Sequence, residues 1–229
     1  MSSDTSSSSP APAPPDDPLF EGMFGPYRIT AADRREVLAY RLALATVAIA
    51  QLAALLQWRW LGPEGLSPWL LLMALSLGLA LRWIHIYLRP LHLALQLLWL
   101  VGCLGGLVLT VRVGPAALVP TLVQHPLAVL AVGPAFAALT GVGFKEFFCF
   151  RRPEAIGVTL LLPLLLLGHL SGLLSLPLCA GLLALETALL LVLTLRKFPM
   201  EAVADIGDKS VFAHLEAQRE AQGAAGHSA

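Results

Sequence analysis

The side chains in this chain that could do chemistry are few, and most stand among apolar neighbours. Glu186 is the sharpest case, inside Leu182-Leu-Ala-Leu-Glu-Thr-Ala-Leu-Leu-Leu191. About 16 Å of helix would separate it from Lys197, the start of the basic end of its run. An ionised acid at membrane depth is costly, so each one is a candidate site. Its structural use is as a neutral acid hydrogen-bonded to a neighbouring helix. Its functional use would be a proton or cation relay, with His169 as the other titratable group at membrane depth. No second acid stands at the same depth, which argues against coupled transport.

Four histidines form a second set. His85 and His92 fall close to one membrane face, and His125 and His169 belong to the opposite half. Two imidazole pairs at two depths could ligate two haems or pigments. The two-histidines-per-helix spacing usual in four-helix dihaem proteins is missing. The alternative is that each ring bonds water, a lipid phosphate or a backbone carbonyl.

The third set is Gly141-Val-Gly-Phe-Lys-Glu-Phe-Phe-Cys-Phe-Arg-Arg-Pro153, where charge, aromatic rings and a helix break coincide. On a helix, Phe144, Phe147 and Phe148 share one face, while Lys145, Cys149 and Arg152 share another. Rings toward lipid and cations toward phosphate suit a membrane boundary. With His85, Arg89 and His92 at the same depth, Lys145, Glu146, Arg151 and Arg152 make a candidate binding cluster for an anionic lipid or a partner membrane complex. Motifs for acyl transfer, zinc hydrolysis, phosphate binding and dinucleotide binding are all absent, so catalysis has no anchor. Cys103, Cys149 and Cys179 lie far apart without metal-binding spacing.

The elements that must carry these residues are membrane helices. Hydrophobic residues make up 57% of the 229 and charged ones only 13%, with zero net charge and a mean hydropathy of +0.74. That balance gives no reason to expect nucleic-acid binding. Apolar runs of about 20 residues match the ~30 Å hydrocarbon layer. The prediction is an all-α, polytopic, multi-pass fold with six transmembrane helices. Thr30 caps the first, without the Glu or Gln of the stricter capping box, and the apolar part spans Ala39–Gln57. Ser67 caps the second, which runs to Leu88, and Arg89-Pro90 makes a short turn into the third, Leu91–Val111. Gly102 to Gly106 should let that helix approach a neighbour closely. Residues 112–124 read as a loop with an interfacial turn. The fourth runs from Pro126 to Phe144 and the fifth from Ala155 to Leu174, kinked at Pro163 and with a small-residue pair at Gly168 and Gly172. The sixth opens at Pro177 and ends at Arg196-Lys197. With six spans, thirteen of the fifteen Lys and Arg fall on the side of both termini, and only Arg59 and Arg112 on the other. The positive-inside rule then makes both termini cytoplasmic. Three regions follow: a disordered Ser/Pro-rich tail over residues 1–18, a membrane domain over 19–199 and a cytoplasmic tail over 200–229. Leu19 to Ile29, aromatic residues between glycines, either lies on the membrane face or pairs with itself.

Several stretches resemble an uncharacterised family of cyanobacterial integral membrane proteins, a domain of unknown function. They include Tyr27-Arg-Ile-Thr-Ala-Ala-Asp-Arg34, Ile84-His-Ile-Tyr-Leu-Arg-Pro-Leu-His92, Gln124-His-Pro-Leu127, the Phe-Lys-Glu-Phe-Phe segment, Leu166-Leu-Gly-His169 and Asp205-Ile-Gly-Asp-Lys-Ser-Val-Phe212. The resemblance implies a plasma or thylakoid membrane and no assigned activity, and it does not cover Glu186. The residues themselves suggest a non-catalytic accessory, scaffold or assembly factor acting through its cytoplasmic face. The alternatives are a small carrier or channel using Glu186, and a haem or pigment protein using His85, His92, His125 and His169.

Overall fold

A computed structural model of the chain describes residues 17–226. The expected disordered tail lies outside them up to residue 16. Asp17 already belongs to the fold, because its backbone oxygen accepts from Arg28 at 2.6 Å and its carboxylate meets Arg34 at 3.2 Å.

Leu19 to Arg28 pairs with itself. β1 (Leu19–Gly22) and β2 (Gly25–Arg28) form an antiparallel hairpin with Leu19 opposite Arg28. Gly25, at φ 127°, holds a backbone conformation that a side chain would strain. α1 (Ala31–Leu61) begins at the predicted Thr30 cap. Asp33 completes a capping box there: its carboxylate accepts the Thr30 amide at 2.7 Å, and its own amide donates to the Thr30 hydroxyl at 3.2 Å. The third helical position therefore needs a carboxylate within reach, and Asp suffices where Glu or Gln was expected.

α2 (Ser67–Trp83) is shorter than predicted. Leu66 takes the cap position, while the Ser67 hydroxyl donates to the Pro115 carbonyl across the far end of the bundle. Residues 84–88 leave the helix and run without regular structure, bending at Tyr87, into α3 (Arg89–Val113). A short α4 (Leu118–Gln124) occupies the expected interfacial turn, and a single 3-10 turn leads into α5 (Val129–Phe150). α5 carries the Phe-Lys-Glu segment as helix, so the break falls at Arg151 (φ 50°), not near Phe144. α6 (Pro153–Leu170) continues through Pro163, and α7 (Leu176–Lys197) is followed by α8 (Ala202–Ile206) and α9 (Lys209–Gly226).

Five helices are long and apolar enough to cross a membrane: α1, α3, α5 with its leading turn, α6 and α7; α2, at 17 residues, is a shorter apolar helix. The six apolar helices form a ring in chain order, α1 to α2, α3, α5, α6, α7 and back to α1. α1 is the most enclosed, with half of its apolar window buried, and α3 the least at 11%. Leu44, Ala48, Leu81, Leu139, Val158 and Leu190 fill the middle. Lipid offers little apolar driving force between helices, so close fit must hold them. A Cβ on Gly102 or Gly105 would fall closer than 3.0 Å to the backbone of Ala135 or Ala131, which is the predicted close approach, here of α3 to α5. Gly168 and Gly172 do not pair helices: Gly168 packs under Leu174, and Gly172, at φ 70°, turns the chain after α6.

The first and last described segments gather at one end. Ile29, Val37 and Ile206 make a small core that joins the hairpin, α1 and α8. The Asp208 carboxylate accepts the Met23 amide at 2.7 Å, and Phe24 stacks on His214 at 3.9 Å. Residues beyond the last apolar helix are thus tied to the bundle along their first stretch.

Candidate functional site

Five buried charged side chains meet inside the bundle, at the end that carries the hairpin and α8. α1 supplies Tyr40 and Arg41, α5 supplies Lys145 and Glu146, α7 supplies Lys197 and α8 supplies Asp205. Lys197 Nζ donates to Glu146 at 2.6 Å and to Asp205 at 2.5 Å. Tyr40 donates to Glu146 at 2.6 Å, and Lys145 reaches the same oxygen at 3.3 Å. Arg41 Nε donates to Asp205 at 2.7 Å and its other nitrogens to the carbonyls of Met200 and Glu201. All five charged side chains are buried, with Glu146 fully so. Three cations face two carboxylates. The Phe150 ring, 4.6 Å from Lys197 Nζ and 5.3 Å from Lys145 Nζ, offers its negative face to both ammonium groups, as does Tyr40. Such a cluster ties four elements together, because separating any one strands a buried charge.

This divides the cluster expected at the membrane surface. Lys145 and Glu146 are inside, committed to Lys197 and Tyr40. Arg89 and Arg151 are exposed. Arg152 lies 3.8 Å from Glu154, which also pairs with Arg196 at 3.0 Å. His85 packs edge-on to Phe212 of α9.

Two of the four histidines serve orphaned backbone carbonyls. His92 Nε2 lies 2.7 Å from the Leu81 oxygen, near the point where α2 stops. His169 Nε2 lies 2.9 Å from the Leu122 oxygen. Four residues on from Leu122 stands Pro126, which has no amide to offer. Both rings already use a nitrogen that a haem iron would need. Among the described residues no three His, Cys, Asp or Glu side chains gather to hold a metal ion.

A second constellation occupies the opposite half of the ring. A cavity of about 180 Å³ opens there, lined almost wholly by apolar side chains from α1, α2, α4, α5, α6 and α7. Trp58, Leu66, Val119 and Leu176 mark its outer end, and Phe136, Leu162 and Leu183 stand deeper. Gln51 and His169 are the polar side chains on its wall. Gln51 Nε2 donates to Thr187 Oγ1 at 2.9 Å and to Glu186 Oε2. Glu186 sits one turn beyond Leu183 on α7 and is fully buried. Among the described residues, Gln51 Oε1 and Glu186 Oε1 are buried polar atoms without a hydrogen-bond partner. The two candidates for a relay have different partners: His169, on the cavity wall, is engaged by the Leu122 carbonyl, and Glu186, bonded to Gln51, is buried outside the cavity lining.

Sequence reasoning singled out neither Gln51 nor Tyr40, and read Arg41, Lys197 and Asp205 only as surface charge or tail. A signal existed for Gln51. It is an amide in an otherwise apolar stretch of α1, as Glu186 is an acid in an otherwise apolar stretch of α7.

Residues 79–214 match the family described as "Uncharacterized integral membrane protein (DUF2301)". A protein of Haemophilus influenzae, described as "Uncharacterized protein", is 33% identical over 134 residues, which cover 56% of this chain and 66% of that relative, just under two thirds of its length. A relative in that organism means that a family match alone carries no cyanobacterial origin. No solved structure matches.

Proposed function

We propose, from the premise that the chain belongs to the DUF2301 family of integral membrane proteins, that it acts by binding an apolar ligand in the cavity at the far end of its helix ring. The observation that carries this reading is the cavity itself: apolar walls drawn from six helices, with polar groups confined to His169 on the wall and Gln51 at the floor. Small-molecule sites have this character, an apolar pocket with a few placed polar groups. The opposite end is filled by the buried ion cluster and the terminal module, so the cavity is blind. A blind cavity suits a receptor, or one state of a carrier in which Glu186 lies behind the wall, bonded to Gln51.

Six crossings with both termini cytoplasmic fit this arrangement. α2 alone extends about 25 Å, and local thinning or residues 84–88 make up the difference to a ~30 Å layer. Thirteen of fifteen Lys and Arg at the terminal end favour that end in the cytoplasm, in a plasma membrane or, if the source is cyanobacterial, a thylakoid. The cavity then faces the other side.

A photoreactive alkylbenzene diazirine in lipid nanodiscs tests the ligand reading. Labels should map to Phe136, Leu162 and Leu183, and Ala180→Phe, which fills the cavity, should remove them. Labels confined to the lipid-facing side of α3 would refute it. A second reading, an accessory role for the cytoplasmic face, is favoured by the exposed Arg89 and Arg151 beside the terminal module. Charge reversal at both positions should then release any co-purifying complex or anionic lipid; unchanged recovery counts against that role.

A further inference from the structure

The cavity has the shape of a short blind well. Its lining runs from Gln51 to Trp58 on α1, from Leu162 to His169 on α6 and from Leu176 to Leu183 on α7. Each stretch rises about 10 Å along its helix, so the three agree on one depth. Spread over that depth, the volume of about 180 Å³ leaves a mean cross-section of about 17 Å². That is room for one hydrocarbon chain, whose carbons keep about 4 Å from their neighbours, and not for two. Among the described residues, no polar atom faces the interior. His169 Nε2 is held by the Leu122 carbonyl, Gln51 Nε2 by Thr187 and Glu186, and the Cys179 thiol lies 3.9 Å from the Leu174 carbonyl. A polar head group inside would therefore lose its water and gain no partner.

We propose that the well seats the tail of a single-chain amphiphile, about eight carbons deep, with the polar head left at the mouth. This rests on the reading of the cavity as a ligand site and names the ligand's class. An extended chain of ~1.5 Å bonds advances about 1.3 Å per carbon, so about eight carbons fill the depth. Volume gives a similar size: an apolar cavity of about 150 Å³ holds the six carbons of benzene, and this one is about one fifth larger. The mouth favours an amphiphile over a bare hydrocarbon. Trp58 stands there and Leu176 opens α7, which puts the mouth at the depth of the headgroups. The floor, at Phe136, Leu162 and Leu183, closes the well toward the middle of the bundle. A bare hydrocarbon collects in the bilayer centre, on the closed side, whereas a molecule with a head is already held at the depth of the mouth.

The test is competition against the alkylbenzene photolabel in nanodiscs, using the straight-chain alcohols from butanol to tetradecanol, with affinity referred to free aqueous concentration. Affinity should rise about fourfold per carbon up to about octanol and then level off. 1,8-Octanediol, which would carry a hydroxyl to the floor, should bind about 10- to 100-fold more weakly than 1-octanol. Leu183→Ala should move the break to longer chains by about two carbons, and Leu183→Phe should move it to shorter ones. An unchanged step per carbon among the shortest alcohols shows that either variant is still folded. A steady rise through tetradecanol, a diol equal to octanol, or a break that neither variant moves overturns the tail assignment and leaves the apolar site standing. If n-octane competes and 1-octanol does not, the ligand has no head and the amphiphile is overturned. If the photolabel never enters the cavity, both readings fall.

Discussion

Replacing Glu146 with Gln should destabilise the protein more than any other single change in the buried ion cluster. The carboxylate is fully buried and accepts from Tyr40 and Lys197, each at 2.6 Å, and from Lys145 at 3.3 Å. Gln keeps the volume but not the charge, and Arg41, Lys145 and Lys197 would then share Asp205 alone. Removing one partner of a buried pair costs about 3–5 kcal/mol, and with two lysines losing their counter-ion the upper part of that range applies, about 4–5 kcal/mol. Lys197→Met should cost less, about 3 kcal/mol, because Arg41 with Asp205 and Lys145 with Glu146 remain as two balanced pairs. Lys145→Met removes only the longest bond and the surplus charge, so about 1 kcal/mol or less is expected. At 2–4 °C per kcal/mol, the scaling of soluble domains of this length, these become shifts of about 8–20 °C for Glu146→Gln and about 4 °C or less for Lys145→Met. Adding Lys145→Met to Glu146→Gln restores the parent surplus of one cation and should recover part of the loss. Thermal unfolding followed by tryptophan fluorescence in one detergent gives the order directly. Equal shifts for all three, or Lys145→Met as the most damaging, would refute the charge accounting.

Other expectations follow from the packing and the terminal latch. Gly102→Ala and Gly105→Ala should each cost about 1–3 kcal/mol by pushing α3 off α5, whereas Gly106→Ala, whose Cβ would stand 3.4 Å from Val132, should be spared in the same unfolding assay. His169→Phe leaves the Leu122 carbonyl unpaired, a loss of about 1–3 kcal/mol, and should speed hydrogen exchange locally over residues 118–128. The Ser210 hydroxyl and the Met23 amide hold the Asp208 carboxyl below its usual 3.8. A value lowered by folding stabilises fully above the unfolded pKa and is lost as pH falls through the folded one. Pepsin should therefore open the hairpin faster at about pH 2 than at about pH 5, beyond the enzyme's own pH dependence, and Asp208→Asn should remove that difference; an unchanged difference in the variant would show that the latch does not depend on the carboxylate.

What the sequence made legible was local. Thr30 caps α1 because the bond it makes spans three residues, and Gly102 marks a close approach because only small side chains permit one. Apolar run length gave the membrane helices, with α2 ending early at Trp83 where residues 84–88 turn toward α9. What was not legible depended on partners far away in the chain. Lys145 read as a headgroup-facing cation because its helical face carries Cys149 and Arg152, yet Glu146 beside it finds Tyr40 at a separation of 106 residues and Lys197 at 51. No short pattern encodes those separations. Gln51 escaped notice because an uncharged amide hardly interrupts an apolar run, although it lines the cavity and bonds both Glu186 and Thr187 of α7. The role of His169 could have been read from Pro126, which leaves the carbonyl four residues before it in need of a donor.

Asp205 gives the ion cluster its second carboxylate, and it lies beyond the last apolar helix. During synthesis Arg41, Lys145 and Lys197 are all made before it, so a chain that stops short of α8 holds three buried cations against Glu146 alone. The hairpin waits longer still, since Asp208 and Ser210, which accept the Met23 and Phe24 amides, come 185 residues or more after their partners. An incomplete chain would therefore present loose basic helices and an unclaimed β-edge to the proteases of the cell, and a finished one would hide both.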